Sequence, residues 1–219
     1  MKALRLHSYW RSSASWRVRL GLNLKGLPYE YAAVHLLKDG GQQNSAEYRA
    51  VNPMRTVPTL EWTEADGTEL RLSQSIAILE FLEERVPSPA LLPKDAYLRA
   101  RVRMVAEAVN SGMQPLQNLA VLQRIKSELN GDEKAWAAHW NVRGLEALES
   151  LVKPTAGRYC VGDAVTLADV CLVPQLYGAR RFAVDVSPYP TLLRIEAACM
   201  ELPAFQAAHA DRQPDAVPA

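Results

Sequence analysis

The stretch that decides the fold spans residues 9–26 and reads YWRSSASWRVRLGLNLKG. The alternating segment at 4–9 predicts a β-strand that leads into it. Three serines follow, and then apolar residues at helical spacing predict an α-helix that ends at Lys25-Gly26, a cation and a glycine. The first turn of such a helix carries free backbone N–H groups and a partial positive charge. The stretch therefore predicts a strand-to-helix junction that is suited to meet an anion.

Outward from this junction, the chain up to residue 86 predicts the order β-α-β-α-β-β-α. The last helix opens at 73–75, SQS, and continues through apolar residues at helical spacing. A mixed sheet with helices packed on it closes such an order, so an α/β domain is expected. The remaining strands are predicted at 29–36, 57–62 and 69–72, and the remaining helix at 45–51.

The second half of the chain has a different pattern. Three prolines within 87–93, PSPALLP, predict a linker. These patterns predict a first domain at 1–87, a linker at 88–93 and an all-helical domain at 94–219, with a frayed tail at 213–219. The predicted helices are at 96–110, with a pattern that extends past Pro115 to about residue 126, at 133–152, from the capping-box-like Thr166 onward, and at 190–201.

Composition excludes several classes of function. The chain carries 25 Lys and Arg against 24 Asp and Glu, so it cannot bind nucleic acid through bulk charge. Its three cysteines lack a C-x-x-C pair and its four histidines lack metal-ligand spacing, so neither disulfides nor a metal site is expected. Without an apolar run of membrane or signal-peptide length, we expect no membrane association and a cytoplasmic location.

Three local patterns carry chemistry. The serines at 12–15 lie between Arg11 and Arg17, and a serine at a helix start either caps the helix or donates to a bound anion. Val57-Pro58 opens a strand, where a cis bond would turn the Val57 backbone toward a ligand, although the base rate favours trans. The serines and glutamine at 73–75 open another helix, with the same choice between a cap and a carboxylate clasp.

Together these patterns resemble the zeta class of glutathione transferases, a family with maleylacetoacetate isomerases and bacterial maleylpyruvate isomerases among its members. Residues 12–19, SSASWRVR, resemble its signature Ser-Ser-Cys-x-Trp-Arg-Val-Arg. The resemblance implies a thioredoxin-like α/β N-terminal domain, an all-α C-terminal domain and a homodimer. It extends over nearly the whole chain, through 38–43, 52–54, 74–75, 114–118, 162–163 and 181–182.

The resemblance also implies a glutathione site. Ser12, with Ser13 beside it, would face the cofactor's sulfur, and Arg181 would meet the carboxylate of a small anionic unsaturated acid as substrate. Because arginines are always charged and bind carboxylates through two bonds, Arg11 is a candidate beside Arg181, with Arg180 and Arg17 as secondary candidates. One departure stands at Ala14, where the family has cysteine, and it puts thiol-exchange side reactions in doubt. The residues expected to hold the cofactor are Ser12, Ser13, Ala14, Ser15, Trp16, Arg17, Gln43, Val57, Gln74, Ser75, Gln114, Asn118, Leu119 and Ala120.

The implied reaction is a cis–trans isomerisation in which glutathione is recycled. A thiolate adds to a conjugated C=C bond, the resulting single bond rotates, and elimination restores the alkene as trans. The stretch 117–122 lacks an arginine for an extra carboxylate, which favours maleylacetoacetate, from tyrosine and phenylalanine breakdown, over maleylpyruvate. The alternatives are a conjugating transferase or dehalogenase for small electrophiles such as α-haloacids, and a non-catalytic module that binds partners.

Overall fold

In the computed structural model, which describes residues 1–217, a four-stranded sheet forms the centre of the N-terminal part. Its strands are β1 (Ala3–Ser8), β2 (Glu30–Ala33), β3 (Thr59–Thr63) and β4 (Glu69–Ser73). Their spatial order is β2-β1-β3-β4, with β1 and β2 parallel and β3 antiparallel to both of its neighbours. The predicted mixed sheet is confirmed.

Three helices complete this part: α1 (Ser13–Leu24), α2 (Ala46–Val51) and α3 (Ser75–Arg85). The alternation of the strands sends Leu6 and Leu60 to one face of the sheet, where both are fully buried. There they pack with Leu22 of α1 and Ile78 of α3 in a single apolar cluster. This packing fixes the starts of both helices relative to the ends of the strands.

After the proline-rich run, the chain forms the helices α4 (Ala96–Asn110), α5 (Leu119–Glu128), α6 (Glu133–Val152), α7 (Leu167–Arg181) and α8 (Pro190–Met200), and a further helix, α9, is described below. The start of α7 is confirmed, because Thr166 and Asp169 form a reciprocal capping box. The predicted extension of α4 past Pro115 is wrong, and a 3-10 turn spans Gln114–Gln117 instead. Proline lacks the backbone N–H that an α-helix needs, so α4 does not continue through Pro115.

The described residues divide into two compact units, Ala90–Leu202 and a unit that joins Met1–Pro89 to the segment from Pro203 onward. The sequence placed that segment in the helical domain at 94–219. Its helix α9 (Pro203–Ala208) packs on α1 instead, and Asn23 Nδ2 donates to the Ala204 carbonyl at 3.2 Å. Residues 218 and 219 lie outside the described part of the chain.

The predicted fraying at 213–219 is wrong for the residues that the structure describes. Gln213 is buried, and its Nε2 donates to the carbonyls of Ala207 at 2.9 Å and His209 at 2.8 Å. The tail therefore continues the packed structure beyond α9, held by polar contacts that carry no periodic apolar signal.

The cysteines Cys160, Cys171 and Cys199 are buried thiols, as their scattered positions predicted. Burial raises the pKa of Cys160 and of Cys199, so both thiols stay protonated at neutral pH. Within residues 1–217, no helix is long and apolar enough to cross a membrane, and no cluster of three metal-ligating side chains occurs.

Lys25, which follows α1, binds the segment 83–89 that leads out of α3. Its fully buried Nζ donates to Glu83 at 2.8 Å, to the Val86 carbonyl at 2.5 Å and to the Pro89 carbonyl at 3.0 Å. We expect Lys25→Met to lower the free energy of unfolding by about 3–5 kcal/mol, because the buried Glu83 carboxylate loses its cation. Urea titration followed by circular dichroism measures this change.

The matched control is Arg5→Met, which breaks the exposed ion pair between Arg5 and Glu30. It should cost less than about 1 kcal/mol, since water already solvates both charges. Equal losses in the two variants would contradict the assigned role of Lys25.

Candidate active site

The N-terminus of α1 forms the centre of the candidate site. Ser12 is its N-cap residue, and its Oγ accepts a hydrogen bond from the Ser15 N–H at 3.2 Å. A hydroxyl that accepts in this way keeps its own proton to donate elsewhere. The two roles that the sequence left open are therefore compatible, since a Ser12 side chain that caps the helix through its oxygen still has an O–H to donate.

The start of α3 is built differently. Gln74 occupies the N-cap position with φ of 71°, in the left-handed region that few non-glycine residues adopt, and its exposed side chain makes no capping bond. The following Ser75 is buried, and its Oγ accepts from Arg17 Nη1 at 3.2 Å. This helix start thus keeps N–H donors without a side-chain cap, which is the arrangement that a carboxylate requires.

The start of β3 offers backbone groups. The Val57-Pro58 bond, for which the base rate favours trans, is cis. Within residues 1–217, the N–H and C=O of Val57 make no hydrogen bond to other protein groups. A buried residue with both backbone groups unpaired is rare, so these groups are available to the backbone of a peptide-like ligand.

Gln43 contributes an unpaired acceptor. Its Nε2 lies 3.4 Å from the Leu36 carbonyl, while its Oε1 is buried and has no partner among the described residues. Buried polar atoms are nearly always paired, so this oxygen is suited to accept from a ligand.

Three of the residues expected to hold the cofactor have fully buried side chains: Ser15, Trp16 and Arg17. Trp16 packs edge-on against the His209 ring at 4.9 Å between centroids, and Arg17 reaches Ser75 as described. Their side chains therefore support the helix starts from behind. Ser13 and Ala14 stay half-buried in the first turn of α1.

The arginines separate into distinct environments. Arg180, a secondary candidate, is committed to Glu196 through two bonds of 2.6 and 2.5 Å, which raise its pKa. Arg181 is exposed, with its guanidinium 5.5 Å from the centre of the Phe182 ring. The half-buried Arg11 lies 5.2 Å from the centre of the Trp10 ring. Arg11 and Arg181 therefore stay predictions as the arginines that meet an anionic substrate.

The second unit carries the remaining predicted residues in one place. Gln114 opens the 3-10 turn, and its Nε2 donates to Asn118 Oδ1 at 2.6 Å, immediately before Leu119 and Ala120 begin α5. Sequence reasoning missed the amides that hold this turn, because no local pattern marks them. They form a chain in which Asn141 donates to Gln117 at 2.8 Å and accepts from Gln175 at 2.7 Å.

The groups in the first unit fit a peptide-like anion. Two helix starts supply N–H donors, Ser12 supplies a hydroxyl, and Val57 supplies a backbone pair. A tripeptide with a thiol and free carboxylates needs each of these groups.

Comparisons with known proteins identify the family. Residues 11–85 match the glutathione S-transferase N-terminal domain, and residues 121–203 match the C-terminal domain of the same family. The maleylacetoacetate isomerase of Rattus norvegicus is 51% identical over 210 residues, which cover 96% of this chain and 94% of the rat protein.

Solved structures give the same result. A maleylacetoacetate isomerase from Anaeromyxobacter dehalogenans with glutathione bound in its active site is 59% identical, with a TM-score of 0.90 and 98% of each chain covered. The same protein was also solved with dicarboxyethyl glutathione and citrate in the active site. A maleylpyruvate isomerase of the zeta class is 43% identical, with a TM-score of 0.90 over 97% of this chain and all of the other.

The fold and the matched domains define a glutathione transferase. More narrowly, the chain belongs to the zeta-class family that includes the maleylacetoacetate isomerases.

Proposed function

We propose that this chain is a glutathione-dependent cis–trans isomerase that converts maleylacetoacetate to fumarylacetoacetate. The observation that carries the proposal is the Ser12 hydroxyl, which caps α1 through its oxygen and leaves its proton for an anion. Relatives named maleylacetoacetate isomerase are about 50% identical over almost the full chain, which supports the choice of substrate.

Ser12 acts on the cofactor's sulfur. A free thiol has a pKa of about 8.5, and lowering that pKa to about 6.5 takes about 2.7 kcal/mol of preference for the thiolate. A hydrogen bond to a charged group supplies about 1.5–3 kcal/mol. The Ser12 hydroxyl and the start of α1 together can therefore keep the sulfur ionised at neutral pH.

The other ends of the cofactor meet the groups described above. The start of α3, with Gln74 and Ser75, binds the γ-glutamyl carboxylate, and the Val57 backbone and Gln43 bind the middle. Arg17 lies behind Ser75 and keeps its hydroxyl oriented.

Bound glutathione supplies a thiolate that adds to the substrate's alkene, permits rotation of the resulting single bond and leaves again. The chain's own part is to hold the anionic substrate and the negative charge that develops on its oxygen, for which Arg11 and Arg181 are the proposed residues. The dicarboxyethyl glutathione bound by the Anaeromyxobacter protein is a thioether that carries two additional carboxylates, so that relative's site accepts an adduct of this chemical class.

The first prediction from this function compares Ser12→Ala with Ser12→Asp. Aspartate keeps a capping oxygen but has no proton to donate at neutral pH, whereas alanine loses both. We expect Ser12→Asp to retain the unfolding free energy within about 0.5 kcal/mol and Ser12→Ala to lose about 1 kcal/mol. Both variants should lose at least about 100-fold in kcat/KM, equivalent to about 2.7 kcal/mol.

Steady-state kinetics and urea unfolding measure the two effects separately. Wild-type turnover in either variant would remove Ser12 from the reaction.

A second prediction concerns the fate of glutathione. Ultraviolet-monitored assays with maleylacetoacetate, and in parallel with maleylpyruvate, should show turnover far beyond the glutathione supplied and none when it is omitted. The faster substrate identifies the natural class, and we expect maleylacetoacetate. Stoichiometric loss of glutathione, with conjugation or halide release from an α-haloacid, would instead establish the transferase alternative.

We also propose that the protein acts as a homodimer in the cytoplasm. Tyr97 and Met104 lie seven residues apart on α4, hence on one face, and are 68% and 37% exposed. Apolar side chains that recur on one face of a helix are suited to a contact between subunits.

Sedimentation equilibrium should give twice the mass of one chain for the wild type and the mass of a single chain for the double variant Tyr97→Glu/Met104→Glu. A monomeric wild type would contradict the proposal.

A further inference from the structure

The loop from Tyr9 to Ser12 connects β1 to α1 and sets the position of the Ser12 hydroxyl; we call it the β1–α1 loop. Its own turn is closed by a single backbone bond, from the Ser12 N–H to the Tyr9 carbonyl at 3.0 Å. A short loop with one internal bond needs external partners if it is to hold a donor in place.

Arg19 binds the β1–α1 loop from the buried side. From one fully buried guanidinium, Nη2 donates to the Trp10 carbonyl at 2.9 Å, and Nη1 lies 3.4 Å from the Tyr9 carbonyl and 3.2 Å from Ser8 Oγ. Its Nε donates to the Ala208 carbonyl of α9 at 3.2 Å. Burial lowers the pKa of Arg19 to about 10, so this cation stays charged at neutral pH.

Asp215, in the C-terminal tail, binds the same loop. Its Oδ2 accepts from the Trp10 N–H at 3.1 Å, across 205 positions of sequence, and its Oδ1 accepts from the Tyr31 hydroxyl at 2.6 Å. Tyr31 lies on β2 opposite Leu6 of β1, so the carboxylate joins the loop to the edge of the sheet. Burial and the bond to Asp215 raise the pKa of Tyr31, which keeps its hydroxyl a donor.

The tail that delivers Asp215 is itself fixed. The two bonds of Gln213 to Ala207 and His209, together with the contact of His209 with Trp16, hold it against α1. The carboxylate therefore meets Trp10 from an ordered support, which is what a positioning contact requires.

We propose that Asp215 is a positioning residue for the isomerisation, acting through the Trp10 N–H to hold the β1–α1 loop so that the Ser12 hydroxyl points at the cofactor's sulfur. The inference rests on the proposed function of Ser12. It assigns a role in the reaction to the C-terminal tail, which lies about 200 positions along the chain from Ser12. Arg19 secures the carbonyl side of the loop, and Asp215 secures its N–H side.

The test compares Asp215→Ala and Asp215→Asn with Asp211→Asn. Alanine removes both accepted bonds, and asparagine keeps one acceptor oxygen and has the same size. Asp211 is an exposed carboxylate in the same tail whose Oδ2 lies 3.6 Å from His209 Nδ1. Asp211→Asn removes the same charge and keeps the backbone bond from the Asp211 N–H to His209 Nδ1, so the support of the tail by His209 is retained. The full-length protein is used throughout.

The first measurement is amide hydrogen exchange without any ligand. We expect exchange at Trp10 and through residues 9–12 to accelerate about tenfold in Asp215→Ala, the loss of one hydrogen bond to a charged group, and less in Asp215→Asn. Exchange in β3 and in Asp211→Asn should match the wild type. Unchanged exchange at Trp10 in Asp215→Ala would overturn the proposal.

The second measurement is the thiol pKa of bound glutathione, followed by the ultraviolet absorbance of the thiolate. Asp215→Ala should move it upward toward the free value and lower kcat/KM about tenfold, with Asp215→Asn between it and the wild type. If the contact only stabilised the fold, Asp215→Ala would lower the unfolding midpoint and leave this thiol pKa unchanged. That result would overturn the positioning role.

The variant Ser12→Ala distinguishes a wrong role for Ser12 from a wrong role for Asp215. If it fails to raise the thiol pKa, the proposed function of Ser12 is wrong, and the role of Asp215 is lost with it. If Ser12→Ala raises that pKa and Asp215→Ala does not, only the inference about Asp215 is overturned.

Discussion

The structure of the candidate site depends on how the first N–H groups of α1 are satisfied. A helix start carries donors without partners inside the helix, and a hydroxyl oxygen can satisfy one of them. Ser12 does this for the Ser15 N–H and still has a proton to give. Because one side chain serves both needs, the same geometry that ends the loop and begins the helix also provides the hydroxyl that we propose as the donor for a thiolate.

Two buried cations on α1 support that geometry from behind. Arg17 bonds to Ser75 at the start of α3, and Arg19 bonds to carbonyls of the β1–α1 loop and of α9. Burying a guanidinium is costly unless its donors are used, and Arg19 uses its donors to tie both the β1–α1 loop and α9 to the helix. The polar residues of the signature thus divide into a face that meets the ligand and a face that holds the site together.

The sequence anticipated much of this site from local patterns. Ser12 at a helix start, the serines of 73–75 and the order of strands and helices all follow from caps and periodicity, which are properties of neighbouring residues. It did not show that the side chains of Ser15, Trp16 and Arg17 are buried, because the spacing of a motif does not tell which of its members face solvent. It also expected a frayed tail, since the contacts of Gln213 and Asp215 leave no periodic trace.

The sequence by itself determined the α/β and all-helical halves, the α1 junction and the zeta-class signature, because each is written in residues close together in the chain. Only the tertiary structure decided the isomer of the Val57-Pro58 bond, the return of the segment after Pro203 to the first unit and the contact of Asp215 with Trp10. These features join positions up to 205 residues apart, and their free energy depends on packing that no local pattern records.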